Sequence, residues 1–153
     1  YIKFNYPGMF DQKAQEYSVE GRKNRKTALG CSVKKIQLLM KQKSFGSIEY
    51  QDNRISLFSA QKGKCAILNT ELEIDDIHCH HIVPRKQNGT DEYSNLIILH
   101  RDMHVLLHST NNDTIKFYME KYGINSKQLT KINKLRDSLN IPHITMWKKQ
   151  KSK

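Results

Sequence analysis

The stretch that decides the fold is short and rich in histidine. It reads Cys79-His80-His81-Ile82-Val83-Pro84, continues through Gly89-Thr90-Asp91 and Asn95-Leu96, and ends with Arg101-Asp102-Met103-His104. The chain has seven histidines, and four of them stand at positions 80, 81, 104 and 108. Such clustering indicates that these side chains share one chemical task.

The residues around this stretch predict two strands followed by a helix. A strand over residues 77–82 is expected to end before Pro84, which has no backbone N–H to donate to a ladder. The apolar residues 96–99 predict a second short strand, and residues 101–109 predict a helix.

The periods of these elements place the histidines. His104 and His108 are four residues apart on the predicted helix, so both side chains project from one face. His80 and His81 are neighbours on the predicted strand and point to opposite sides of it. One of the two is therefore available to a metal ion and the other to a water molecule.

Two kinds of zinc enzyme share part of this pattern, and the residues exclude both. A zinc metalloprotease carries Glu directly after the first His of the helical pair, but Val105 stands there. The run His78-Cys79-His80 lacks the Glu and the Cys-x-x-Cys of a zinc deaminase.

Taken in order, the residues resemble the motif of HNH nucleases. They supply a His-His pair at a strand end, a Gly-x-Asp loop, an Asn-Leu pair and a final His on a short helix, over about residues 63–109. Residues 61–66 and 95–100 are similar to the endonuclease segment of bacterial group II intron reverse transcriptase/maturases. The resemblance implies an α+β fold, mainly helical, with a small ββα-metal core that contains a two-stranded antiparallel sheet.

The resemblance also implies roles for the clustered residues. His81 takes the place of the general base, and His80 and His104 take the places of metal ligands. His108 is expected to be a third ligand, as in the bacterial toxin DNases of the same superfamily. Asn95 is expected to brace the loop and so to hold the base in its orientation.

Basic residues next to the motif are candidates for nucleic-acid binding. Arg85 and Lys86 follow the base, and Arg101 begins the helix, so all three are expected to contact phosphate groups. Gly89 and Asp91 are expected to shape the loop between the strands.

One divalent metal ion is the expected cofactor. Three imidazoles favour Zn²⁺, Ni²⁺, Co²⁺ or Mn²⁺ by ligand softness, while Mg²⁺ or Mn²⁺ is expected to serve in function. Many intron-encoded HNH domains also hold a structural zinc with two Cys-x-x-Cys pairs. The corresponding residues here are 65–68 and 100–103, and only Cys65 remains, so we expect no structural zinc of this kind. An irregular site of Cys65 with Cys79, His78 or His100 is the alternative.

The net charge of +11 is unevenly distributed and predicts three segments. Residues 1–50 carry +6 and are expected to be a basic, partly helical segment that connects and binds DNA. Residues 51–110 carry −2 and form the expected HNH core, and residues 111–153 carry +7 as basic C-terminal helices and a tail. The cluster at 22–26 is compatible with a nucleic-acid-binding arm or with a disordered linker.

The flanking segments also carry local signals. We expect helices over residues 32–43, 52–63, 114–122 and 126–139, the first capped by Ser32, and a short strand over residues 65–68.

The expected function is that of a metal-dependent HNH endonuclease that cleaves double-stranded DNA to 5′-phosphate and 3′-hydroxyl products. The narrower resemblance implies that the protein nicks the second DNA strand in group II intron mobility. Its expected partners are then intron RNA and the reverse transcriptase portion of a longer chain. The first residue is Tyr1 and not Met, which fits the expectation that this sequence is part of that longer chain. A free-standing nuclease of defence or restriction, and a catalytically inactive HNH-fold binding module, are the alternatives. Three cysteines and the lack of an apolar run of about 20 residues favour a cytoplasmic protein without a membrane partner.

Overall fold

An antiparallel pair of strands and the helix that follows it form the centre of the fold. The computed structural model describes residues 32–42 and 46–146. Its elements are α1 (Val33–Lys41), α2 (Ile48–Ala60), β1 (Ile77–His81), β2 (Leu96–His100), α3 (Arg101–His108), α4 (Asn112–Tyr122) and α5 (Ser126–Ser138). The expected class, an α+β fold that is mainly helical around a ββα core, is confirmed. The basic cluster at 22–26 and the tail at 147–153 lie outside the described residues.

The sheet has two strands, and its register sets the position of each histidine. β1 pairs with β2 so that Ile77 lies opposite His100 and His81 lies opposite Leu96. Buried Ile98 and Leu99 on β2 belong to the hydrophobic core. The chain then passes directly into α3, whose start is capped by His100 Nδ1, which accepts a hydrogen bond from the amide of Asp102 over 3.0 Å. Strand and helix are therefore held at a defined junction.

The loop between the strands is folded tightly on itself. The amide of Gly89 donates to the Pro84 carbonyl over 3.0 Å. A Cβ atom at Gly89 would lie 1.8 Å from the carbonyl oxygen of Val83, so only glycine fits at this close approach. Asn88 before it adopts the left-handed conformation with φ 62°. These two residues bring the second half of the loop back toward the end of β1.

Helix α3 packs against the sheet on one side and against the C-terminal helices on the other. Its apolar residues Met103, Leu106 and Leu107 are fully buried. Two further positions on this helix, His104 and His108, are half-buried and exposed respectively. The burial of the apolar side orients the two imidazoles toward β1.

A buried arginine on α5 closes the C-terminal end of α3. Arg136 is fully buried, and its Nη1 donates to the carbonyls of Leu106, Leu107 and Ser109 over 3.0, 3.1 and 2.8 Å. Its Nε donates to the Pro142 carbonyl over 2.7 Å. The last carbonyls of a helix have no hydrogen-bond donors within the helix, and here the guanidinium of Arg136 provides those donors.

One expected helix start and one expected strand are wrong. Helix α2 begins at Ile48 rather than at residue 52, because Ser47 Oγ accepts a hydrogen bond from the Tyr50 amide over 3.0 Å and caps the helix earlier. Residues 65–68 form a turn instead of a strand, with a hydrogen bond from the Asn69 amide to the Cys65 carbonyl. Alternating burial in this turn imitates the period of a strand.

The remaining helices agree with their predictions to within about two residues at each end where both ends are described. Ser32 stands at the start of α1, although its side chain makes no capping hydrogen bond. Within residues 32–42 and 46–146, none of the helices has the length and apolar character that crossing a bilayer requires.

Candidate active site

Three histidines from β1 and α3 converge at one place. The ligand nitrogens of His80, His104 and His108 all lie within 4.8 Å of one another. The ring centroid of His80 is 5.2 Å from that of His104 and 5.3 Å from that of His108, and the two helical rings are 4.5 Å apart. The structure thus brings together the three side chains that the resemblance marks as ligands.

The burial of His80 shows that this cluster fits a metal ion. His80 is 3% exposed, and its Nε2 is buried without a hydrogen-bond partner among the described residues. A buried polar atom left unpaired destabilises the fold, and a bound cation would satisfy it. Three imidazole nitrogens are also a donor set that divalent transition metals accept.

The protonation states of the cluster favour metal binding. Burial, followed by the neighbouring imidazoles, lowers the pKa of His80 to about 3. Burial, followed by His78 and His108, lowers the pKa of His104 to about 4. Burial also lowers the pKa of His108, assisted by the positive charge of Arg136. All three rings are therefore neutral at pH 7, which is the form that ligates metals.

His81 faces the opposite side of β1 and has different surroundings. Its ring stacks on Tyr50 of α2 at 5.3 Å between centroids and 6° between planes. Its Nε2 lies 2.8 Å from Oδ1 of Asp91. The alternation of the strand therefore separates the two adjacent histidines, as the sequence predicts.

Asp91 lies at the centre of a polar group around His81. Its carboxylate also accepts hydrogen bonds from Ser47 Oγ over 2.6 Å and from Arg85 Nη2 over 2.8 and 3.0 Å. The hydrogen bond to His81, then those to Ser47 and Arg85, lower the pKa of Asp91 to about 2. Asp91 is therefore ionised at neutral pH.

Asn95 joins the two ends of the loop. Its Nδ2 donates to the carbonyls of Val83 and Thr90 over 3.1 and 2.8 Å, and its Oδ1 accepts from the Val83 amide over 2.8 Å. Its backbone carbonyl accepts from the Ile82 amide. The side chain thus holds the segment just after His81, where a bracing residue has to lie.

The three basic residues expected to bind phosphate lie at the surface. Lys86 and Arg101 are exposed. Arg85 is half-exposed, but its guanidinium is already paired with Asp91 and lies 5.7 Å over the Tyr50 ring. Contact with phosphate stays a prediction for all three.

Sequence reasoning missed three contributors to the site. It assigned Asp91 to loop shape rather than to direct contact with His81, and it assigned no role to Tyr50. His78 was also missed; its ring lies 3.7 Å from that of His104. The spacing of His78 and His80 on one strand face was a usable signal. No local pattern connects Tyr50 with His81.

The residues that correspond to a structural zinc site in related domains are largely apolar here. Cys65 and Met103 are buried in the core, and Leu68 packs against it. The Cys65 sulfur accepts a hydrogen bond from the His100 amide over 3.3 Å. Hydrophobic packing therefore stabilises the region around Cys65 and the start of α3.

Of three comparisons with known proteins, the one with protein families found a match, and that match agrees with the geometry of the site. Neither the curated proteins nor the solved structures contain a match to this chain. Residues 64–110 match the family model described as HNH endonuclease. This range spans the sheet, the intervening loop, α3 and the three clustered imidazoles. About a third of the chain thus carries the sequence pattern of an HNH endonuclease domain, and that domain holds the candidate site.

Proposed function

We propose that this protein is a metal-dependent endonuclease that hydrolyses phosphodiester bonds of double-stranded DNA to 5′-phosphate and 3′-hydroxyl ends. The observation that carries the proposal is the convergence of three imidazoles, with ligand nitrogens within 4.8 Å of one another, inside the range that matches the HNH endonuclease model. His81 follows His80 in the chain but faces the opposite side of β1, where it pairs with a carboxylate rather than joining the cluster.

Each part of the site has a task in this reaction. His80, His104 and His108 would hold the cation, which when bound would neutralise charge on the phosphate and on the leaving oxygen. His81 would act as the general base that takes a proton from the attacking water. Asn95 would keep the loop, and with it His81, in position.

The remaining site residues bind the substrate. Arg85, Lys86 and Arg101 would contact phosphate groups next to the scissile bond. The basic segments 1–50 and 111–153, which carry +6 and +7, would bind the DNA backbone on either side. Mg²⁺ or Mn²⁺ is the metal proposed for function, and Zn²⁺, Ni²⁺ or Co²⁺ can occupy the same imidazoles.

A plasmid-nicking assay tests this function. The wild-type protein is expected to convert supercoiled DNA to open circles with Mg²⁺ or Mn²⁺ and to stop when a chelator is added. His81→Ala is expected to lower the rate about 10²- to 10⁴-fold, the usual contribution of a general base. His143→Ala is the matched control, because His143 is exposed and pairs with Asp137 instead of the cluster.

One result would replace the proposal by its alternative. If the wild type binds DNA tightly but gives no product with any of these metals, and His81→Ala binds equally well, the domain is a catalytically inactive binding module.

We propose second-strand nicking in group II intron mobility as the biological context. Its support is the likeness of residues 61–66 and 95–100 to the endonuclease segment of group II intron maturases. Intron RNA and a reverse transcriptase portion would then be partners. Sequencing the gene upstream of Tyr1 tests this context: a Tyr-Ala-Asp-Asp polymerase motif supports it, and a start codon directly before Tyr1 contradicts it.

A further inference from the structure

Asp91 is held in place by contacts that its carboxylate and its backbone make separately. The carboxylate accepts from Ser47 Oγ over 2.6 Å and from Arg85 Nη2, while the backbone carbonyl accepts from Asn53 Nδ2 over 2.8 Å. Ser47 and Asn53 belong to the start and the first half of α2. The carboxylate therefore has a fixed position, and Oδ1 is directed at His81 over 2.8 Å.

The ring of His81 is held on a second side. Tyr50 stacks on it almost in parallel, at 5.3 Å and 6°. The hydroxyl of Tyr50 donates to the Cys79 carbonyl over 3.1 Å, which ties the aromatic ring to the same strand. One face and one edge of the imidazole are therefore occupied.

The partners of Nε2 determine which ring nitrogen carries the proton. An ionised carboxylate only accepts hydrogen bonds, so the 2.8 Å contact with Asp91 requires a hydrogen on Nε2. The competing partner, Arg85 Nε, is also a donor, but it lies 3.4 Å away and would need Nε2 to be unprotonated. The shorter, charge-assisted contact is the stronger one.

We propose that Asp91 is a positioning residue that holds His81 as the Nε2–H tautomer and leaves Nδ1 as the atom that accepts the proton. This inference rests on the proposed nuclease function. When the water attacks, one O–H bond of the water breaks and an Nδ1–H bond forms, and the hydroxide oxygen bonds to phosphorus. The bond between phosphorus and the 3′ oxygen breaks with its electron pair going to that oxygen, which takes up a proton from solvent to give the 3′-hydroxyl. The imidazolium so formed is stabilised by the Asp91 carboxylate and afterwards releases its proton to solvent.

Asp91→Asn tests the role, because an amide of the same shape can present its NH₂ to Nε2 and favour the opposite tautomer. We expect turnover at saturating DNA to fall at least about 10²-fold, with KM changed less than about threefold, as for a base in the wrong tautomer. Asp91→Glu, which restores a carboxylate, is expected to recover part of the loss. The matched control is Asp75→Asn, the same change at an exposed position before β1.

A spectroscopic measurement tests the tautomer without relying on activity. Two-bond ¹⁵N–¹H couplings of the full chain, with the His81 signals identified from the spectrum of His81→Ala, are expected to show Nε2–H in the wild type and a gain of Nδ1–H in Asp91→Asn. A cooperative melting transition and an unchanged Ni²⁺ affinity in Asp91→Asn would confirm that the fold and the imidazole cluster are intact.

The outcomes separate the two proposals. An Nδ1–H tautomer in the wild type, or full turnover of Asp91→Asn alongside an active wild type, would overturn the positioning role alone. An inactive wild type would overturn the nuclease function itself.

Discussion

At the scale of single residues, the site depends on two adjacent histidines with opposite surroundings. His80 is buried among other imidazoles, and its Nε2 has no hydrogen-bond partner in the described part of the chain, whereas His81 is paired with an ionised carboxylate. The alternation of β1 is sufficient to produce this difference, because neighbouring side chains point to opposite faces. A ligand and a base can therefore come from consecutive positions in the chain.

The lowered pKa values predict that metal affinity changes little with pH. Protons compete with the metal for an imidazole only near and below its pKa, which is about 3 for His80 and about 4 for His104, and is also lowered for His108. Between pH 7 and 5.5 we expect the affinity for Ni²⁺ to fall less than about tenfold. Three imidazoles with the ordinary pKa of about 6.5 would lose several hundredfold.

Isothermal titration calorimetry at a series of pH values measures this dependence. His80→Ala should abolish tight binding, and His143→Ala should leave it unchanged. A loss of several hundredfold in the wild type would show that the three imidazoles keep their ordinary pKa, and would contradict this prediction.

At the scale of elements, α3 connects the site to the rest of the molecule. It carries two of the three clustered imidazoles, and its two ends are satisfied by side chains: His100 at the start and Arg136 at the end. Helix α2 provides Tyr50 and the Ser47 cap on the other side of β1. The two helices thus set the positions of the clustered imidazoles and of the His81 ring separately.

Arg136→Lys is expected to lower the free energy of unfolding by about 2 to 4 kcal/mol. The guanidinium of Arg136 donates hydrogen bonds to the carbonyls of Leu106, Leu107 and Ser109. A lysine side chain is shorter and has fewer N–H donors, so it leaves some of these buried carbonyls without a hydrogen bond. Urea denaturation measures the change. Arg101→Lys, the same substitution at an exposed residue of α3, serves as the control and should change stability by less than about 0.5 kcal/mol.

If both lysine variants unfold at the same urea concentration as the wild type, the cap on α3 contributes nothing measurable, and the helix is held by its apolar side alone.

At the scale of the whole molecule, charge and chemistry lie in different parts of the chain. Residues 51–110 carry −2 and contain the site, while the segments on either side carry +6 and +7. A mildly acidic centre attracts DNA only weakly, so under the proposed function we expect most of the affinity for DNA to come from the flanks. We therefore expect substitutions in the site to change the rate of cleavage with little effect on DNA affinity, and substitutions in the flanks to change DNA affinity with little effect on the rate of cleavage.

Neutralising the basic tail is expected to weaken the salt dependence of DNA binding. Replacing Lys148, Lys149, Lys151 and Lys153 with alanine should reduce the slope of log K against log salt by up to about 4, since each phosphate contact contributes about 0.9. Fluorescence anisotropy with a labelled duplex at several salt concentrations measures the slope. The same four positions changed to arginine retain the charge and should retain the slope; an unchanged slope in the alanine variant would exclude the tail from the interface.

The order of elements in the core could be predicted because each has a local cause. Pro84 ends the first strand, the apolar run at 96–99 forms the second, and the spacing of His104 and His108 places both on one helical face. Local signals also misled: the apolar run at 65–68 belongs to a turn, and Ser47 starts α2 earlier than its apolar residues suggest. In both places, hydrogen bonds to nearby backbone outweighed the hydrophobic pattern.

The sequence by itself determined the ββα order, the chemical type of the clustered side chains and the candidate ligands, since these depend on periods of two and of about 3.6 residues. Only the tertiary structure decided that Asp91 contacts His81, that Tyr50 stacks on it and that Arg136 closes α3. The Arg136 contact joins residues 30 positions apart. Such contacts depend on how elements pack in space, and a local periodicity holds no information about the distance between elements.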